Sequence, residues 1–207
     1  MAPRALRKRR MQIARLRGGL QRRRDRRTTL KSLPKGAVCA EVGTWKGDNA
    51  AAILRSTRPS LLYLIDPWRH QEGPDFAKAM YGGLSGGQIE MDGVHDAVLR
   101  RFRRQIKRAK VVVKRQASVD AAQSLPEGSL DWAYIDGDHR YEGVREDLEQ
   151  FARVVCPGGY LCGDDYGIKG WWDDGVTRAV DEFAASVSCA ELAVRGDQFL
   201  IKLSDGV

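Results

Sequence analysis

Tyr134-Ile135-Asp136-Gly137-Asp138-His139 closes one apolar stretch of the chain, and Gly163-Asp164-Asp165-Tyr166 closes the next. Each carboxylate cluster falls where a strand is expected to stop. In open parallel sheets, ligands bind in the crevice outside the carboxyl ends of the strands. Four acids and a histidine on such an edge suit a hard cation. Mg²⁺ takes a few carboxylate oxygens and completes its shell with water and substrate oxygens. Asp and Gly also open ordinary solvated loops, but two such clusters on consecutive strands argue for a site. Asp138 either orients His139 or faces solvent; solvent is favoured, because adjacent residues rarely converge on one point.

The first turn of the chain narrows the cofactor. Glu41-Val42-Gly43-Thr44-Trp45-Lys46-Gly47 lacks the G-x-G-x-x-G pattern that lets backbone approach a pyrophosphate, and Trp45 stands where the close-approach glycine would be. Glu41 adds negative charge beside this turn, which suits a cation or hydroxyls better than phosphate. Asp66, where the second strand ends, is placed to accept hydrogen bonds from a ribose diol. A cofactor with a ribose and a cation but no phosphate fits this edge, and S-adenosylmethionine (SAM) answers that description. Asp136-Gly137-Asp138 has the form of a nucleotide-sugar DxD motif, but the turn that would hold a diphosphate is missing. Nicotinamide dinucleotides are disfavoured on the same ground.

These residues need a sheet to position them. Short apolar runs at 37–42, 61–65, 111–114, 131–135, 160–162, 192–194 and 199–203 read as strands, and helical patterns at 47–55, 90–110, 141–155 and 175–187 alternate with most of them. Alternation of this kind predicts an α/β fold: a Rossmann-like, doubly wound sheet of seven strands with helices on both faces. It is mostly parallel with an antiparallel last strand, and a closing hairpin adds an antiparallel edge. Residues 67–90 read as an insert over the site, rich in glycine and aromatics. Trp171-Trp172 would either wall an acceptor or anchor the last helix.

The 207 residues carry a net charge of +8, but unevenly. Residues 1–31 hold 13 Lys and Arg against one acid, Asp25, whereas residues 32–207 sum to −4. The chain therefore divides into a basic, helical arm (1–31) and an acidic body (32–207). Leu6, Ile13 and Leu20 recur every seven residues with Leu16 beside them, interrupted by Arg9 and Arg23. Packing on its own body or on a second copy is expected of the arm, ahead of nucleic-acid binding. The arginines of 90–110 read as a solvated helix face, and His70 and His95 as surface or satisfied residues. No apolar run is long enough to span a membrane. Cys39, Cys156, Cys162 and Cys189 have no CxxC spacing and read as reduced, which points to the cytoplasm.

Four blocks together resemble the class I SAM-dependent methyltransferases, nearest the group of macrocin-type sugar O-methyltransferases and cephalosporin-hydroxylase-like proteins. The blocks are Ala40 to Gly47, Leu64-Ile65-Asp66-Pro67-Trp68, Asp136 to Val144, and Pro157 to Tyr166. The resemblance covers about residues 38–183. It implies that Asp136, Asp164 and Asp165 bind Mg²⁺, that His139 is the general base, and that Ser118 lies near the adenine. Glu41, Gly43, Lys46, Gly47, Asp66 and Asp136 would complete the cofactor site. The expected activity is Mg²⁺-dependent methylation of a hydroxyl on a small molecule (a sugar, phenol or natural product). An RNA methyltransferase using the arm, and a non-methylating, hydroxylase-like metal protein, are the alternatives. No Asn-Pro-Pro-aromatic motif for amine methylation is present.

Overall fold

The computed structural model describes residues 4–186 and 191–205, with side chains from residue 18 onward. Seven strands form one sheet: β1 (Val38–Val42), β2 (Leu61–Ile65), β3 (Val111–Lys114), β4 (Leu130–Ile135), β5 (Val155–Gly163), β6 (Glu191–Arg195) and β7 (Gln198–Lys202). The helices are α1 (Arg4–Ser32), α2 (Asp48–Ser56), α3 (Gln88–Arg101), α4 (Arg103–Lys107), α5 (Ser118–Gln123), α6 (Tyr141–Val154) and α7 (Gly175–Ser186). Strand order is β3-β2-β1-β4-β5-β7-β6. The first five strands are parallel, and β7 runs antiparallel to both of its neighbours.

The closing hairpin adds the expected antiparallel edge, and the antiparallel last strand is β7. β7 inserts between β5 and β6, which leaves β6 outermost. Burial explains the choice. Phe199 and Ile201 of β7 are buried, whereas β6 is mostly exposed. The more apolar strand takes the covered position.

Two hydrophobic layers cover the sheet. On one face α5, α6 and α7 bring Ala121, Leu148, Phe151 and Val180 onto the strands. On the other face, Leu30 of α1, Ile53 of α2, and Met91 and Val98 of α3 pack around Trp132 and Tyr134. The buried positions of α6, Val144, Asp147, Leu148, Phe151 and Val154, follow the helical period that places one stripe inward. The helix expected over 90–110 is broken at Phe102, which leaves helical geometry and buries its ring. A Cβ on Gly47 would come within 2.6 Å of that ring, so the glycine makes room for it. α5 had no counterpart in the sequence reading.

The basic arm is one helix that continues into the body. Leu30 is fully buried and Leu33 nearly so, which ties the last turn of α1 into the core. The side chains of Leu6, Ile13 and Leu16, and Cys189, lie outside the described residues. Cys39 and Cys162 are buried free thiols. No described helix is long and apolar enough to cross a membrane.

Candidate active site

β1 and β4 lie side by side while their connections lead to opposite ends of the sheet. This is the switch point where open α/β sheets open a crevice. A cleft of about 660 Å³ lies there, at the carboxyl ends of the parallel strands. Gly43 turns the chain out of β1 with φ +83°, and a Cβ at this position would sit 2.0 Å from the Asp136 carbonyl oxygen. Only glycine lets the β1 and β4 turns approach this closely.

Glu41, at the end of β1, is buried behind that turn. Burial first, and the nearby Asp136 second, push its pKa up to about 8, while neighbouring Thr44 and Asn49 moderate the rise. Glu41 Oε2 and both amide atoms of Asn49 have no hydrogen-bond partner among the described residues. Unpaired buried polar atoms are costly, but neither Glu41 nor Asn49 lines the cleft, so Glu41 stands behind the site and not in it.

Asp66 follows β2 and lines the cleft. Its Oδ2 accepts the Trp45 N–H at 2.8 Å and its Oδ1 the Trp68 N–H at 2.7 Å. Burial raises its pKa, opposed by these two bonds and by Arg115. Trp45 and Trp68 both adopt left-handed φ, 48° and 40°. The two residues that donate to Asp66 thus have strained backbone, as functional sites often do. Ser118, first residue of α5, also lines the cleft, with Asp147 of α6 beside it. Lys46 and Gly47 do not reach the cleft. Lys46 is exposed with its ammonium 5.4 Å from the Trp45 ring, and Gly47 serves the Phe102 packing.

The acid cluster is assembled differently from the expected set of three aspartates. The ligand atoms that converge, all within 4.8 Å of one another, belong to Asp136, His139 and Asp165. His139 Nε2 is 2.9 Å from Asp165 Oδ2 and 3.5 Å from Asp136 Oδ1. Burial would lower the His139 pKa, but the two carboxylates outweigh it and raise it to about 10. Burial likewise opposes ionisation of Asp165, yet His139, Arg22 and Arg26 hold its carboxyl below the usual range. Asp165 reaches this place through a left-handed φ of 61°.

Asp164 turns elsewhere. Its Oδ2 pairs with Arg26 of α1, and its Oδ1 accepts the Gln198 amide at 2.5 Å and the Asp165 N–H at 2.9 Å. Gln198 in turn accepts the Tyr134 hydroxyl at 2.6 Å. One helical turn earlier, Arg22 pairs with Asp197 at 3.2 Å. Asp138 neither orients His139 nor stands free in solvent: it accepts the Arg140 N–H at the start of α6 and pairs with the Arg140 side chain. His70 bonds Ser85, and His95 stacks on Trp68.

Aromatic side chains form one wall. Trp172 stacks on His139 with ring centroids 4.7 Å apart, Trp171 meets Trp172 edge-on at 5.6 Å, and Tyr81 of the insert meets Trp171 at 6.5 Å. The Arg140 guanidinium lies 4.5 Å over the Phe76 ring. Arg22, Arg26, Asp147 and Gln198 were not singled out in the sequence. A signal existed for three of them: two arginines four apart share a helix face, and an acid within the apolar stripe of an amphipathic helix is anomalous.

Residues 40–166 match the methyltransferase domain family, which is more than half of the chain. An uncharacterized protein of Acanthamoeba polyphaga mimivirus is 35% identical over 68 residues, a span of 33% of this chain and 30% of that relative. Among solved structures, the O-methyltransferase NovP superposes with TM-score 0.62 at 20% identity, covering 87% of this chain and 80% of NovP. A Corynebacterium glutamicum protein superposes with TM-score 0.60 at 16% identity, covering 87% and 79% of the two chains. A putative rRNA methylase from Clostridium thermocellum gives 0.59 at 12% identity, covering 87% and 94%. At these identities the superpositions speak for the sheet and its helices, while the family match speaks for the chemistry. The chain belongs to the methyltransferase domain family and is a class I SAM-dependent methyltransferase.

Proposed function

We propose that this protein transfers the SAM methyl group to a hydroxyl of a small, ring-bearing acceptor, and that Mg²⁺ or another divalent cation serves the reaction. The observation that carries this reading is the convergence of Asp136, His139 and Asp165 at the foot of an aromatic wall, beside the Gly43 turn. Two carboxylates and an imidazole form a donor set that a divalent cation accepts.

SAM supplies an electrophilic methyl on a sulfonium, and a bound cation supplies a charge that acidifies and orients the acceptor hydroxyl. The chain does the rest by placement. Asp66 would receive the ribose diol, and Ser118 and Asp147 would border the adenine. Trp171, Trp172 and Tyr81 hold the acceptor ring and keep water from the reacting atoms. Without a cation, His139 serves as the counter-charge of Asp136 and Asp165, which raise its pKa. Because its Nε2 is spent on these two carboxylates, the geometry favours it as a third ligand over the free base expected from the sequence. The RNA reading gains less support: Arg22 and Arg26 of the arm are engaged with Asp197 and Asp164.

The test is thermal unfolding with Mg²⁺ or Mn²⁺ present. Divalent ion should raise the melting temperature, because the site exists only in the folded chain, and Asp165→Ala should abolish the rise. His139→Ala should weaken the metal response if His139 is a ligand. If it leaves the response intact and removes turnover by about 10²–10⁴-fold, His139 is the base. A parent protein indifferent to metals would sink the cation mechanism.

A further inference from the structure

The arm sends two arginines into the acidic end of the cleft, one turn apart on α1. Arg22 pairs with Asp197, and Arg26 with Asp164. Both line the same cleft as Asp136 and Asp165. Asp164 is only 8% exposed and Arg26 31%, so their ion pair is partly shielded from water and salt. The partners of Asp164 are fixed from three sides: Arg26, the Gln198 amide and the Asp165 backbone. Gln198 is itself held by the buried Tyr134 hydroxyl. Asp164 is therefore engaged elsewhere and is not among the converging ligand atoms of Asp136, His139 and Asp165, although it is the chain neighbour of Asp165.

A guanidinium cannot give up its charge near neutral pH. Set beside Glu41, Asp136, Asp164, Asp165 and Asp197, it neutralises part of an acidic end that would otherwise repel itself. The same fixed charge repels a dication placed among these acids. We propose that Arg26 is a built-in counter-cation, a positioning residue that withdraws Asp164 from the divalent-ion site and thereby lowers that site's affinity. This rests on the cation reading above. Docking of α1 and binding of the ion then oppose each other. When the Arg26 end of α1 is seated, the ion has two carboxylates and a histidine; when it is not, Asp164 becomes a third carboxylate.

Mn²⁺ titration of the full chain by calorimetry tests this without any turnover. Arg26→Gln should bind Mn²⁺ about tenfold tighter than the parent, and Arg26→Lys, which keeps the charge, should stay within about threefold of it. The gain should vanish in Arg26→Gln/Asp164→Asn, since it runs through Asp164. If Arg26 were only a structural clamp, Arg26→Gln would bind Mn²⁺ equally or more weakly, and the proposal would be overturned. Should Arg26→Gln not fold, Asp164→Asn decides against Asp165→Asn: the proposal expects Asp164→Asn to lose at least about tenfold less Mn²⁺ affinity, and equal losses overturn it. Failure of the cation reading is separable. In that case the parent binds no Mn²⁺ that Asp165→Ala removes, and both readings fall together.

Discussion

Asp147 sits on the inward stripe of α6, where its neighbours Val144, Leu148 and Phe151 are apolar. A carboxyl in that position is held by its surroundings rather than by a counter-charge. Burial raises its pKa to about 7, opposed by Ser118 and aided by Asp138 and Glu146. The folded chain then holds a proton that the unfolded chain has released, so Asp147 favours folding at low pH. That contribution is complete below the ordinary carboxylate range and is lost as pH rises toward 7. Asp147→Asn removes the titration but keeps an oxygen to accept from Ser118. Urea unfolding should show the variant gaining on the parent by about 2–4 kcal/mol between pH 4 and pH 8. A pH-independent difference would refute the assignment. Glu41, raised by burial and Asp136, adds a slope of the same sign in parent and variant alike.

At the scale of elements, the site is made by turns that follow strands. β1, β2, β4 and β5 each end in a residue that the cleft uses or that faces it: Gly43, Asp66, Asp136 and Asp164. The β1 and β4 turns are locked to each other, because the Asp136 N–H donates to the Val42 carbonyl at 2.9 Å and Gly43 leaves no room for a Cβ. Gly43→Ala would combine left-handed strain with a backbone clash. It should cost at least about 2 kcal/mol in chemical denaturation and weaken binding of S-adenosylhomocysteine, because relieving the clash moves Asp136. Stability equal to the parent's would mean that the turn is more pliant than its geometry implies.

At the scale of the whole molecule, α1 is part of the body and not an appendage to it. Its last turn buries Leu30, and its arginines reach the cleft from the β7 side. Removing residues 1–31 therefore opens the core as well as stripping charge. Leu30→Ala alone should cost about 2–5 kcal/mol in urea unfolding, as large-to-small changes in a packed core do. The deletion should cost more than that. A deletion as stable as the parent would show that the arm is dispensable for folding.

Much of this was legible in the sequence, and for a local reason. Apolar runs ended by acids fix where strands stop, and strand ends are where such sheets bind ligands. Gly43, Asp66, Asp136, His139 and Asp165 can thus be placed on one edge from the sequence alone, together with the seven strands and the parallel core, whereas Ser118 came only from the family resemblance. The seating of β7 between β5 and β6 was not legible, because a hairpin's own pattern does not say which of its strands the sheet will cover. Nor was the partition of the acids. Asp164 and Asp165 are adjacent in sequence and equal in chemistry. Which one faces His139 depends on the left-handed φ of Asp165 and on Arg26 and Gln198, which approach from residues 138 before and 34 after Asp164. The sequence by itself determined the fold, the edge and the types of group available there. Only the tertiary structure decided which charges meet, because that choice is made by contacts between segments remote in the chain.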